Sequence, residues 1–146
     1  MTKERGREGI VRKAFFGVLL LGFLIGCSPG KDVPIAEKAI DQFHERLNAG
    51  DLDAVYETSG NQMKTAATKD FLSQFLAAVH RKLGNFQSGK TAGWNDQVMT
   101  GGHTLTINYS AEYERGSASE SFTFSIENDR ATLEGYHINS NALIVN

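Results

Sequence analysis

The chain has 146 residues, 40% of them apolar, with 15 basic side chains, 17 acidic ones and a single cysteine. One cysteine excludes an intramolecular disulfide framework and a cysteine-rich zinc site. The charge is split: residues 1–26 carry +3 and residues 27–146 carry −5, so an acidic remainder without a basic run excludes nucleic acid as an expected partner. The first element in chain order is a basic stretch, Met1 to Lys13, followed by an apolar run of 13 residues, Ala14 to Gly26. As a helix that run is about 20 Å long, against a hydrocarbon core of roughly 30 Å. The pattern predicts a secretory signal segment. The alternative is a short membrane anchor that is never cleaved.

The run ends in Leu24-Ile25-Gly26-Cys27, which resembles the lipobox of bacterial lipoproteins. A small residue before the cut lets a peptidase approach the backbone, and the thiol is the group that can carry a thioether-linked diacylglycerol. The resemblance implies cleavage between Gly26 and Cys27, with Cys27 lipidated and acylated (palmitate or a similar chain) as the mature N-terminus. One acyl chain holds only marginally and two or three hold firmly, at about 0.8 kcal/mol per buried CH₂. Ser28 to Pro34 then form a tether reaching at most about 24 Å. The expected location is the bacterial cell envelope, facing the periplasm. In proteobacterial lipoproteins an Asp after the cysteine favours inner-membrane retention, so Ser28 there favours the outer membrane. The expected organisation is a signal peptide at 1–26, lipidated cysteine and tether at 27–34, and one domain at 35–146. A mature part of 120 residues suffices for one core and is too short for two.

Within the domain, Ala36, Ile40, Phe43 and Leu47 recur at helical spacing. Pro34 suits the start of that helix and Gly50 a left-handed cap at its end. Asp51 is placed to cap a short second helix with Leu52, Val55 and Tyr56 inward. Thr58 to Thr65 read as polar and irregular. A third helix starts at Thr68, carries Asp70 in its first turn and ends at Gly84. Its predicted apolar stripe is Phe71, Leu72, Phe75, Leu76, Val79 and Leu83.

From Phe86 the period changes from 3.6 to 2. Trp94 and Val98 alternate with polar residues up to a hairpin signal at Thr100-Gly101-Gly102. Leu105, Ile107, Tyr109, Ala111 and Tyr113 form one face of a strand, and Arg115-Gly116 a turn. Ala118, Glu120, Phe122, Phe124 and Ile126 continue the alternation. Asn128-Asp129 turn into a last strand ending near Asn139, where Leu133 is out of phase with Tyr136 and Ile138. A bulge at Gly135 would put all three on one face. The apolar tail from Ala142 to Val145 is expected to cover an edge or extend the sheet. Helices followed by a four-stranded antiparallel meander define an α+β domain.

The opening helix, Asn48-Ala49-Gly50-Asp51, the short helix ending in Tyr56, the third helix and the curved meander resemble the nuclear transport factor 2-like, or cystatin-like, cone. The Arg81-Lys82-Leu83-Gly84 helix end and the Trp94 strand are similar to lipoprotein domains of unknown function from bacterial envelopes. The resemblance spans about residues 33–140 and implies a cone with a mouth, and in many members a dimer built by the sheet. Fold does not imply function. The aromatic candidates for a pocket are Phe43, Tyr56, Phe75, Trp94, Tyr109, Tyr113 and Tyr136, which equally suit a filled core.

Isomerase-type members of the superfamily use an Asp or Glu base opposite a hydroxyl donor. Here Glu120 or Asp96 is available to accept, and Tyr56 or Tyr109 to donate. Glu120, an acid in the apolar phase of its strand, is the catalytic candidate; the alternative is a charge at a frayed strand start. His44 and His80 lie beside apolar stripes and read as half-exposed, while His137 points outward. No two of His44, His80, His103 and His137 have chelating spacing, so a metal site would need distant segments and none is expected. Neither a nucleophile elbow nor a phosphate loop is present, and no cofactor is expected. The leading expectation is a non-enzymatic envelope lipoprotein that binds a small apolar ligand or an envelope protein. The alternative is a cone-fold isomerase, dehydratase or hydrolase.

Overall fold

The computed structural model describes residues 30–145; the signal segment, the Gly26–Cys27 cleavage site and the tether up to Pro29 lie outside the described residues. Helix α1 spans Val33–Ala49, with proline in its first turn and Gly50 at φ 71° closing it in the left-handed region. The Gly50 and Asp51 amides donate to Leu47 and Arg46 carbonyls, satisfying orphan acceptors of the last turn. Helices α2 (Leu52–Thr58), α3 (Asn61–Ala66) and α4 (Lys69–Leu83) follow. Asp51 stands at the N-cap of α2 without a side-chain cap bond, whereas the Thr68 hydroxyl accepts from the Phe71 amide and caps α4 as expected.

Strands β1 (Phe86–Met99), β2 (Gly102–Tyr113), β3 (Gly116–Glu127) and β4 (Arg130–Asn139) form an antiparallel sheet in the order β1-β2-β3-β4, and a short helix α5 (Ala142–Val145) ends the described chain. Asn128 and Asp129 both have positive φ, 50° and 57°, the backbone a two-residue hairpin needs to match strand twist. The predicted inward faces of β2 and β3 are both buried. Ile40 and Leu47 of α1 and Leu76, Val79 and Leu83 of α4 complete the core above them.

The bulge in β4 is present: Thr123 pairs with Gly135 and Phe124 with Leu133, leaving Glu134 as the extra residue. This returns Leu133, Tyr136 and Ile138 to one face. Glu134 reaches from the bulge to the start of α3, where one carboxylate oxygen accepts from the Gln62 amide at 2.8 Å. A side chain on Gly60 would collide with that carboxylate.

Several expectations are corrected. The 58–65 segment is not irregular, because Asn61–Ala66 form α3. Phe71 is 64% exposed; the working stripe of α4 is Leu72, Leu76, Val79 and Leu83, and Phe71 falls one residue outside it. The tail turns into α5 against α4 rather than adding a strand. Trp94 and Val98 share the inward face of the sheet with Asp96, yet are 43% and 75% exposed. β1 is an edge strand of 14 residues, and this end of it outruns the helices that cover β2 and β3. Among the described residues no helix is long and apolar enough to cross a membrane.

Candidate functional site

Two features flank one aromatic wall. The first is a buried polar cluster centred on Glu120, which is 2% exposed in the middle of the sheet, between Tyr109 on β2 and Ile138 on β4. One carboxylate oxygen accepts from the Tyr113 and Tyr136 hydroxyls, each at 2.6 Å. The other lies 2.9 Å from His44 Nε2 on α1. Glu120 is therefore no frayed charge but the point where α1, β2, β3 and β4 are joined. His44, expected to be half-exposed, is 1% exposed. Its ring stacks on Phe86 at 3.7 Å and meets Phe43 and Phe122 edge-on. Burial, followed by the neighbouring Glu120 charge, pushes the Tyr113 and Tyr136 phenols far above their ordinary range. Both remain donors at any ordinary pH, which is what a buried carboxylate requires.

The second feature is a cleft of about 310 Å³ between α1, α2 and the β3–β4 hairpin. Its floor is apolar, formed by Ile35, Phe43, Val55, Phe122, Phe124 and Leu133, and Lys38, Arg46 and Arg130 stand at its mouth with Asp129 as the one acid. The Arg46 guanidinium is held by donation to the Thr58 hydroxyl at 2.6 Å and the Ala54 carbonyl at 3.3 Å. Neither Lys38 nor Arg130 has an ion-pair partner among the described residues. Phe43 and Phe122 belong to both features: they floor the cleft and enclose His44.

Of the seven aromatic candidates, Phe43 alone lines this cleft. Tyr109, Tyr113 and Tyr136 surround the cluster in the core. Phe75 packs edge-on against Tyr136. Tyr56 is half-buried, with the Lys64 ammonium 5.7 Å from its ring centre. Trp94, partly exposed near the end of β1, lies against the backbone of Gly30 and outside this cleft. His80 is half-buried, 2.9 Å from the Asn85 side-chain oxygen, and His137 is exposed. A third group, Asp32, Asp96 and His103, converges from distant segments. The cleft cations had a signal in the sequence: Lys38, Gln42 and Arg46 fall at four-residue steps beside Ile35, Ala39 and Phe43, a polar strip bordering an apolar one on the same helix.

A base must come within about 3 Å of the proton it takes. Glu120 is sealed, has its oxygens engaged by three partners and does not line the cleft beside α1. As folded, the cluster ties secondary structure together. The cleft, by contrast, is open to solvent, with an apolar floor, a polar rim and a volume at the small end of the range for small-molecule sites.

Helices packed on an open four-stranded antiparallel sheet define an α+β protein of the nuclear transport factor 2-like cone class. Within it, residues 41–135 match the family described as a protein of unknown function, DUF3887, and the chain belongs to that family. The match runs from the second half of α1 to the β4 bulge, so it contains His44, Tyr113, Glu120 and most of the cleft lining. No curated protein matches the chain.

Proposed function

We propose that the protein is a lipid-anchored envelope protein whose domain binds a small ligand with an apolar body and an anionic head in the cleft between α1 and the β3–β4 hairpin. The observation that carries the binding reading is that three cations and one acid ring an apolar floor, in a domain whose overall charge is −5. The apolar part of the ligand would lie on Phe43, Phe122 and Phe124, with its head between Lys38 and Arg130. The sealed state of Glu120 supports binding over turnover. Support for the anchor comes from the basic segment, the 13-residue apolar run and Leu24-Ile25-Gly26-Cys27.

Binding is tested with 1-anilinonaphthalene-8-sulfonate, an aromatic anion that fluoresces when it enters an apolar site. Arg130→Glu and Lys38→Glu are each expected to weaken it roughly tenfold, the equivalent of about one charge-assisted contact. Unchanged affinity in both variants would remove the cleft as the site. For the anchor, palmitate labelling in a bacterial host is expected to mark the wild type and leave Cys27→Ala unlabelled. Equal labelling of the two would reject lipidation at that residue.

A further inference from the structure

Asp32, Asp96 and His103 come from three separate segments: the turn before α1, the edge strand β1 and the start of β2. On the sheet, Asp96 pairs with Leu105 and Val98 with His103. Asp96 and His103 are therefore diagonal neighbours on the inward face, within reach of each other. Asp32 descends onto that face from above. One ligand atom from each residue lies within 4.8 Å of the other two. His103 Nε2 is 2.5 Å from an Asp96 oxygen and 3.7 Å from Asp32 Oδ2.

Asp32 is the unusual member. Aspartate before a helix ordinarily turns its side chain back to cap an amide of the first turn. Asp32 holds the N-cap position with no side-chain cap bond, and it is 3% exposed. Its Oδ2 has no hydrogen-bond partner among the described residues and faces His103. A buried carboxylate oxygen left without a partner calls for an explanation, and a bound ion is one. Two carboxylates and an imidazole are a donor set that a divalent cation can take.

We propose that these three side chains form a site for one divalent cation of the zinc type, which fastens the start of the domain to the β1–β2 hairpin. A nitrogen and two oxygens suit zinc, at distances of about 2.0–2.2 Å to each donor. Calcium takes about six to eight oxygens, and this set is too small and too rich in nitrogen for it. Tetrahedral coordination puts donor atoms roughly 3.3 Å apart. The His103–Asp96 contact opens by less than about 1 Å to reach that spacing, and the His103–Asp32 gap closes by a few tenths. Water fills the fourth position. The ion gives Asp32 Oδ2 the partner it lacks and joins the turn that leads into α1 to the otherwise thinly covered end of β1.

The test uses the full-length chain in detergent, stripped with a chelator and titrated with zinc chloride by calorimetry and thermal melting. One ion per chain is expected, with a saturable rise in Tm. Asp32→Asn and Asp96→Asn are each expected to weaken binding at least tenfold, while His137→Ala, at an exposed histidine, binds as the wild type does. Cobalt(II) in place of zinc is expected to give the intense visible absorption of a tetrahedral centre, abolished in His103→Ala. Absence of saturable binding, or equal affinity in the wild type and both aspartate variants, would overturn the proposal. Should Asp32→Asn fail to fold without metal, the half-buried Asp96→Asn reads the same outcome.

Discussion

The molecule contains two histidine–carboxylate groupings that differ in how far their acceptors are filled. At His44–Glu120, two phenols take one carboxylate oxygen and the imidazole takes the other. At His103, the imidazole nitrogen lies against Asp96, and the buried Asp32 Oδ2 stands 3.7 Å from that nitrogen without a hydrogen bond. In both places one buried atom is left without a partner, His44 Nδ1 in the first and Asp32 Oδ2 in the second, but only in the second is it a carboxylate oxygen facing a second acid. With both Glu120 oxygens engaged, the first is a fastening within the core. The unfilled carboxylate oxygen makes the second a place where a cation can bind.

Substitution should separate the two. The largest effect is expected for Glu120→Ala, which strands two buried hydroxyls and an imidazole and should cost about 3–5 kcal/mol, read as a lower urea midpoint with an unchanged slope. A cost under about 1 kcal/mol would show that the core does not depend on the cluster. Tyr113→Phe leaves the Tyr136 bond in place and should cost about 1 kcal/mol at neutral pH. It has a further signature. The folded phenol titrates above its unfolded value near 10, so its contribution is complete below that pH and is lost as pH rises beyond it. The alkaline limb of a Tm-against-pH curve should therefore be shallower in Tyr113→Phe than in the wild type.

Asp32→Asn, measured without metal, is expected to go the other way. Removing a buried carboxylate whose Oδ2 accepts no hydrogen bond should leave the urea midpoint at or slightly above that of the wild type, by about 0.5 kcal/mol. A loss as large as that at Glu120 would make the two groupings alike after all. The smallest effect is expected at Glu114, an exposed carboxylate that accepts from the Asn85 amide at 2.9 Å and from its side-chain amide at 3.1 Å. Those bonds hold its pKa below the usual value. Its contribution is therefore present above the unfolded pKa and fades as pH falls through the folded one. Glu114→Gln should flatten the acid limb slightly and leave the alkaline limb alone.

The elements were legible where a period and its turns agreed, as in β2, β3 and α4. The phase of β3 placed Glu120 inward, but the fate of its charge depended on His44, 76 positions away, and on Tyr136, whose orientation follows the Glu134 bulge. Helix α3 was not legible, because one apolar residue, Met63, anchors it and its first turn is capped by Glu134 from β4. Local pattern carries no trace of a cap supplied 72 residues later. Trp94 shows the reverse: its face was legible, but whether a helix lies above it is a matter of tertiary length. His44 was misplaced for a related reason. A histidine at the margin of an apolar stripe reads as half-exposed until an aromatic partner such as Phe86 and an acceptor such as Glu120 are brought to it.

Phe43 and Phe122 serve two masters, since one side of this wall meets the cleft and the other encloses His44. A change in either ring would alter the fit of anything held in the cleft and loosen the core in the same stroke. Lys38, Gln42 and Arg130 border the same space but are exposed, and their exchange leaves the core untouched. Among family members, new preferences in this cleft should therefore arise by drift in the rim while the two phenylalanines stay fixed, so the wall confines variation to the charge at the mouth.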